Sequence, residues 1–315
     1  MTKAKDKREI SGLREADITR EIAKSYYQQF DRLIESDVII IGAGPSGLMC
    51  AHDLAQSGYN VVLVEQMAHL GGGFWSGGYL MTKAAIAAPA HEILLKLGVV
   101  CEQKARDLYI VEAPHACAKL IGAAFDAGAH VLNLTKVVDL VVRGKEPKVE
   151  GVVVNWWPVE KAGHDVVHVD PIALESKIVV DATGHDAAAL QYLSKRGLFK
   201  PIPGNGPMWV EESEEEVMKR TGEVFPNLFV VGLSVAAVYG TPRMGPAFGA
   251  MLLSGRKGAA LIKKKLSGGL SLDEYITELM KLNEEDPGVG FNESVKELTK
   301  LLDRNREEVL CRLHS

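Results

Sequence analysis

The sequence predicts an α/β protein: a Rossmann-like dinucleotide-binding fold with a central parallel sheet plus a small antiparallel β-meander. Three observations carry this. An apolar run at 37–41 (DVIII) leads straight into Gly42-Ala-Gly-Pro-Ser-Gly47, a GxGxxG turn. A helical stretch follows the turn. A second apolar run then comes at 60–64 (NVVLV), closed by Glu65. Strand, glycine turn, helix and strand in that order make a βαβ unit with a right-handed crossover. Uninterrupted apolar runs fill strands buried on both faces.

Each element has its own signal. Ile18, Ile22, Tyr26, Phe30 and Leu33 recur at helical spacing among Arg20, Glu21, Lys24 and Asp31, so 1–36 reads as an amphipathic N-terminal helical segment. Residues 37–267 read as a single dinucleotide-binding α/β domain with a β insertion. The helix after the glycine turn runs through Gln56 and stops at Gly58; from Gly71 the chain is loop-like (GGGFWSGGYL). Helices are expected over 89–97, with Pro89 in the first turn where its missing N–H is harmless, and over 114–127. A strand follows at 130–134. Alternating β-branched residues at 137–142 and 149–156 predict an antiparallel hairpin or meander. A loop carrying His164, His168 and Asp170 precedes a buried strand at 177–181. The acidic stretch 211–216 (EESEEE) reads as a solvated face or loop. Another strand is expected at 228–231, and a glycine-rich turn from Gly245 opens a helix to Lys265. Residues 268–315 read as a helical C-terminal extension: Ser271-Leu-Asp-Glu274 is a capping box, Pro287-Gly-Val-Gly290 a break, and 294–313 a last helix.

Composition removes several function classes. Of 315 residues, 47% are hydrophobic and 24% charged, which is enough apolar material to exclude a disordered chain. A formal charge of -5 gives no basic footprint for nucleic acid or anionic membrane. The charged start (MTKAKDKREI) and the lack of an 18-residue apolar run predict neither secretion nor a membrane span. Cys50, Cys101, Cys117 and Cys311 form no CxxC pair, which points to a reducing, cytoplasmic setting and away from structural zinc.

The turn assigns roles to its parts. Gly42 permits the tight turn, Gly44 lets a pyrophosphate touch the backbone, and Gly47 lets the helix lie close to the strand. The helix N-terminus offers free N–H donors and a positive dipole end. Glu65, 23 residues after Gly42, can accept from both hydroxyls of an adenosine ribose and would repel a 2′-phosphate. The turn alone does not separate NAD from FAD. Two-dinucleotide flavoproteins carry Gly-Asp after their late strand; here Gly232 is followed by Leu233 and Ser234, which argues against a flavin.

A second cluster joins His168-Val-Asp170-Pro to Asp181-Ala-Thr-Gly-His185-Asp, 15 residues from Asp170 to His185. In extended chain His168 and Asp170 point to one side. Two imidazoles and a carboxylate suit a nonhaem Fe(II) or related divalent site; the alternative is a loop histidine hydrogen-bonded to an aspartate, and either imidazole could instead serve acid–base work. Arg243, just before a Pro/Gly turn that opens a helix, could bind a small carboxylate bidentately, or serve as a surface cation or strand-end ion pair.

These motifs resemble those of the thiamine thiazole synthases. The resemblance lies in Gly71-Gly-Gly73, Trp75, Gly77-Gly78, Pro89-Ala-His91, Val154-Asn-Trp156, Asp170-Pro171, Thr183-Gly-His-Asp186 and the run Arg243-Met-Gly-Pro-Ala-Phe-Gly-Ala to Gly255, in order from about Ser11 to Lys265. It implies that NAD is consumed as a substrate: nicotinamide leaves, and ADP-ribose carbons condense with glycine and sulfur into an ADP-thiazole carboxylate. By the same resemblance Ser46, Glu65, Gln66, Gly73, Val137 and Leu233 line the adenine-nucleotide site, with His168, Val169 and Asp170 near the reacting half. It further implies that Asp170 and His185, from neighbouring protomers of a homo-octamer, hold Fe(II), and that Arg243 binds the glycine carboxylate. Fungal and plant members carry a sulfur-donating cysteine two residues before the Asp-Pro. Here that position is His168, which implies the type that takes free sulfide and turns over repeatedly. A ribose 1,5-bisphosphate isomerase and an FAD-dependent oxidoreductase are the alternatives on the same fold.

Overall fold

The computed structural model describes residues 12–163 and 168–267. The expected tail helices, the capping box, His164 and Cys311 lie outside the described residues.

The central sheet is α/β in character and mostly parallel, as expected. Its strands are β1 (Glu35–Ile41), β2 (Val61–Val64), β6 (His130–Leu132), β7 (Thr135–Arg143), β8 (Lys148–Trp156), β9 (Ile172–Asp181), β10 (Gly222–Phe225) and β11 (Leu228–Val230). The order is β10-β11-β9-β1-β2-β6, with β11, β9, β1, β2 and β6 parallel and β10 antiparallel at the edge. Val38 to Ile40 and Val61 to Leu63 are fully buried, which is why their sequence shows no alternation. The β7–β8 hairpin is the expected meander, and β8 pairs antiparallel with the first half of β9.

A separate three-stranded antiparallel sheet, β3 (Lys83–Ala87), β4 (Glu102–Ala105) and β5 (Leu108–Glu112), in the order β3-β5-β4, has no counterpart in the sequence reading. Its strands are short, and every residue of β4 is exposed, so neither an apolar run nor clean alternation marks them.

The helices are α1 (Glu15–Leu33), α2 (Pro45–Ala55), α3 (His91–Lys96), α4 (Ala113–Asp126), α5 (Trp157–Ala162), α6 (Ala188–Lys195), α7 (Val210–Arg220), α8 (Leu233–Tyr239) and α9 (Gly249–Leu266). Pro89 sits in the turn before α3 instead of in its first turn: Ala90 N–H donates to the Ala87 carbonyl there, and α3 begins two residues on. The acidic stretch 211–216 forms most of α7, with Ser213, Glu216 and Val217 buried; it is helix, with Glu211 and Glu215 exposed and Glu214 turned inward to accept from the Ala250 N–H. The apolar stripe of α1 is largely exposed at Ile18, Ile22 and Tyr26; the helix docks through its last turn, where Leu33 is buried and the Asn60 amide donates to the Arg32 and Glu35 carbonyls.

Candidate active site

A cleft of about 680 Å³ opens at the carboxyl ends of β1, β2 and β9, lined by Ile41, Val64 and Ala182 among others. This is the edge where parallel α/β sheets take ligands. Gly42, Gly44, Ser46, Glu65, Gln66, Gly73, Val137, Leu233 and His185 all line it.

The turn's glycines have three separate physical causes. Gly42 has φ +96°, and a Cβ there would lie 2.7 Å from the Ala182 carbonyl oxygen. A Cβ on Gly47 would come within 2.1 Å of the Gly42 carbonyl oxygen, so glycine lets α2 lie close to the strand; Gly47 does not itself line the cleft. Gly44 is different: φ is -74°, and a Cβ would meet nothing within 4 Å. Gly73 is equally open. Neither the backbone nor the packing of this chain demands glycine at these two positions, and both line the cleft. The empty room over them, beside the α2 N-terminus whose first-turn N–H groups have no helical partners, is a cradle for a phosphate.

Glu65 is almost fully buried, and both its oxygens accept backbone N–H groups: Oε2 from Ala43 at 2.9 Å and Oε1 from Met67 at 2.8 Å. The carboxylate therefore ties the glycine turn to the loop after β2, with lone pairs left for a ribose hydroxyl.

His185 lies in a single 3-10 turn, Gly184–Asp186, just beyond β9, and its side chain is exposed at the cleft. Asp181 ends β9 and is fully buried; burial pushes its carboxyl above the usual range, while bonds from Thr183, Ser234 and Ala189 pull it back down.

Asp170 lies elsewhere. The strand expected at 177–181 begins at Ile172, so Asp170 precedes one end of a ten-residue strand and His185 follows the other. At about 3.3 Å per residue the two stand roughly 30 Å apart along it. Among the described residues no three His, Cys, Asp or Glu side chains gather to hold a metal, so His168, Asp170 and His185 form no cluster within this chain. His168, Val169 and Asp170 are exposed and do not line the cleft. Nor does Arg243, which is exposed beside its mouth: it bridges to Met208, which does line it, and among the described residues its guanidinium has no carboxylate partner.

Several lining residues escaped sequence reasoning. Lys136 precedes Val137 on β7, and its Nζ sits 5.3 Å from the Trp157 ring centre. Met208, Phe248 and Met251 come from segments distant in sequence; Phe248 stacks on Phe74 at 4.7 Å, closing the glycine loop against α9. No local pattern announces such contacts.

The family model described as "Thi4 family" matches residues 19–248. The chain belongs to the Thi4 family. A thiamine thiazole synthase of Aeropyrum pernix is 50% identical over 252 residues, covering 80% of this chain and 92% of that protein. One of Pyrococcus horikoshii is 44% identical, covering 81% and 99%. The crystal structure of Thermovibrio ammonificans THI4 superposes with a TM-score of 0.78 at 36% identity, covering 81% of this chain and 99% of that one. Among the described residues no helix of this Thi4 family member is long and apolar enough to cross a membrane.

Proposed function

We propose that this protein is a thiamine thiazole synthase that condenses NAD, glycine and free sulfide into an ADP-thiazole carboxylate, releasing nicotinamide and turning over repeatedly with Fe(II). Relatives of that name at 44–50% identity support the enzyme class. The adenine half of NAD suits the cleft: ribose against Glu65, pyrophosphate over Gly44 and the α2 N-terminus, adenine beside Val137.

The source of sulfur rests on the thiols. Cys50 and Cys117 are fully buried, and burial pushes the Cys117 thiol up to about 12; Cys101 is half-buried and also raised. Thiolate is the sulfur nucleophile, so none of these three is poised to give up its sulfur. By the family resemblance, His168 would take the position of the donating cysteine of the fungal and plant type.

Asp170 and His185 would hold the metal. Both are exposed, and a carboxylate with an imidazole suits divalent iron. Their separation along β9 supports a site shared between protomers, the His185 of one meeting Asp170 of another, in an octamer of the family's kind. Bound Fe(II) would supply a Lewis-acid centre at which sulfide is delivered. Arg243, at the cleft mouth, would orient glycine by its carboxylate.

The observation that carries the reading is the open cradle over Gly44 and Gly73 next to buried Glu65, in a chain half identical to a named synthase. Anaerobic incubation with NAD, glycine, sulfide and Fe(II) should form more than one product molecule per chain and release nicotinamide. One product or fewer per chain overturns the sulfide mechanism; flavin in the denatured supernatant overturns the synthase.

A further inference from the structure

The turn that carries His185 is held by a hydrogen-bond network that converges, directly or through two hydroxyls, on one buried carboxylate. Asp181 Oδ1 accepts from Thr183 N–H at 3.0 Å, Thr183 Oγ1 at 2.7 Å and Ser234 Oγ at 3.0 Å; Oδ2 accepts from Ala189 N–H at 2.9 Å. The two hydroxyls pass the restraint on. Ser234 Oγ accepts from Gly184 N–H at 2.9 Å, and Thr183 Oγ1 from Ala188 N–H at 2.8 Å. Four backbone amides, two on each side of residues 185–187, thus answer to one acid.

The backbone between them is unusual. Gly184 has φ +72° and Ala187 φ +42°, a left-handed conformation that a non-glycine residue keeps only where its surroundings over-determine it. Among the described residues Asp181 has no basic partner, and its strand neighbours in register are Ile41 and Val230. A fully buried carboxylate among apolar strands is unfavourable unless all its bonds are met. Here they are met, and all of them by atoms that shape this turn or the helix starting after it.

We propose that Asp181 is a positioning residue: acting through Thr183 and Ser234, it fixes the 184–187 turn so that the His185 imidazole is presented to the cleft. The inference deepens the reading of His185 as a metal ligand, and its effect on metal affinity rests on that reading; the geometry of the turn does not. Partners behind a ligating group typically change metal affinity about 10- to 100-fold when removed.

The test uses the full chain carrying Ser234→Ala, Asp181→Asn and the pair Thr183→Val and Thr183→Ser. Ser234 is fully buried and does not line the cleft, so Ser234→Ala keeps the argument testable if Asp181→Asn fails to fold. Without metal, the His185 ring signals, assigned through His185→Gln, are compared by NMR at one pH. They should shift and broaden in Ser234→Ala, Asp181→Asn and Thr183→Val, and return toward wild type in Thr183→Ser. Anaerobic Co(II) and Fe(II) titrations should show about 10- to 100-fold weaker binding in the first three, while ADP-ribose affinity of Ser234→Ala is unchanged. Unmoved His185 signals overturn the proposal, as does a loss of ADP-ribose affinity parallel to the loss of metal. Failure of the wild type itself to bind metal would sink the ligand reading instead, and the NMR comparison would still decide the positioning role.

Discussion

Gly44→Ala and Gly47→Ala should behave oppositely, although both fall in the same fingerprint. At Gly47 the new methyl would sit 2.1 Å from the Gly42 carbonyl oxygen, more than 1 Å inside ordinary contact, so α2 must lift from the turn. Overpacking of this kind costs about 1–3 kcal/mol, which in a domain of this size lowers Tm by roughly 2–12 °C. At Gly44 the methyl meets nothing within 4 Å, and φ of -74° suits alanine. The loss of unfolded-chain entropy favours the variant by about 0.4–1 kcal/mol. The poorer cap offsets it by a similar amount, so Tm stays near wild type. What the methyl fills is the phosphate cradle. Losing one hydrogen bond to a charged group, worth about 1.5–3 kcal/mol, weakens ADP-ribose or NAD binding roughly ten- to a hundredfold. Differential scanning fluorimetry with isothermal titration separates the two effects. If Gly44→Ala destabilises as much as Gly47→Ala, or binds ADP-ribose as well as wild type, the cradle is not where the phosphate sits.

Glu65→Gln replaces one of two accepting oxygens with a donor, leaving the Ala43 or Met67 N–H facing it; stability should fall by about 1–3 kcal/mol in denaturant titration, and ADP-ribose affinity should fall with it. Cys117, with its thiol raised to about 12, should resist thiol reagents in the folded protein at neutral pH, and the intact chain mass should be unchanged after several turnovers; loss of sulfur from the chain would contradict free sulfide as the donor. Burial also raises the Glu214 carboxyl above its ordinary 4.5, with a bond from the Ala250 N–H partly opposing. The folded state then holds the proton more tightly than the unfolded one, so this group's contribution to stability falls as pH rises from the ordinary carboxylate range through the raised folded value. Glu214→Gln should flatten that part of the stability-versus-pH curve and leave the variant no less stable at neutral pH; an unaltered curve would show that the carboxyl is not desolvated.

The sequence by itself determined the βαβ frame and the nucleotide turn, because those depend on local rules: a run of residues such as Val38 to Ile40 is apolar throughout only when both faces are covered, and a glycine at φ +96° announces a turn few other residues make. It also marked Glu65, His168, Asp170, His185 and Arg243 through their chemical types. Which of these can meet was decided by the tertiary structure. Extending β9 back to Ile172 sets Asp170 and His185 at opposite ends of one strand, a separation that a strand read as only 177–181 does not reveal. The small sheet of β3, β5 and β4 was illegible because its pairing, not its short and partly exposed strands, defines it. Ser234, 53 residues from Asp181, became its hydrogen-bond partner for the same reason. Composition and period report what one segment prefers; contacts between segments depend on where strand order and register bring them.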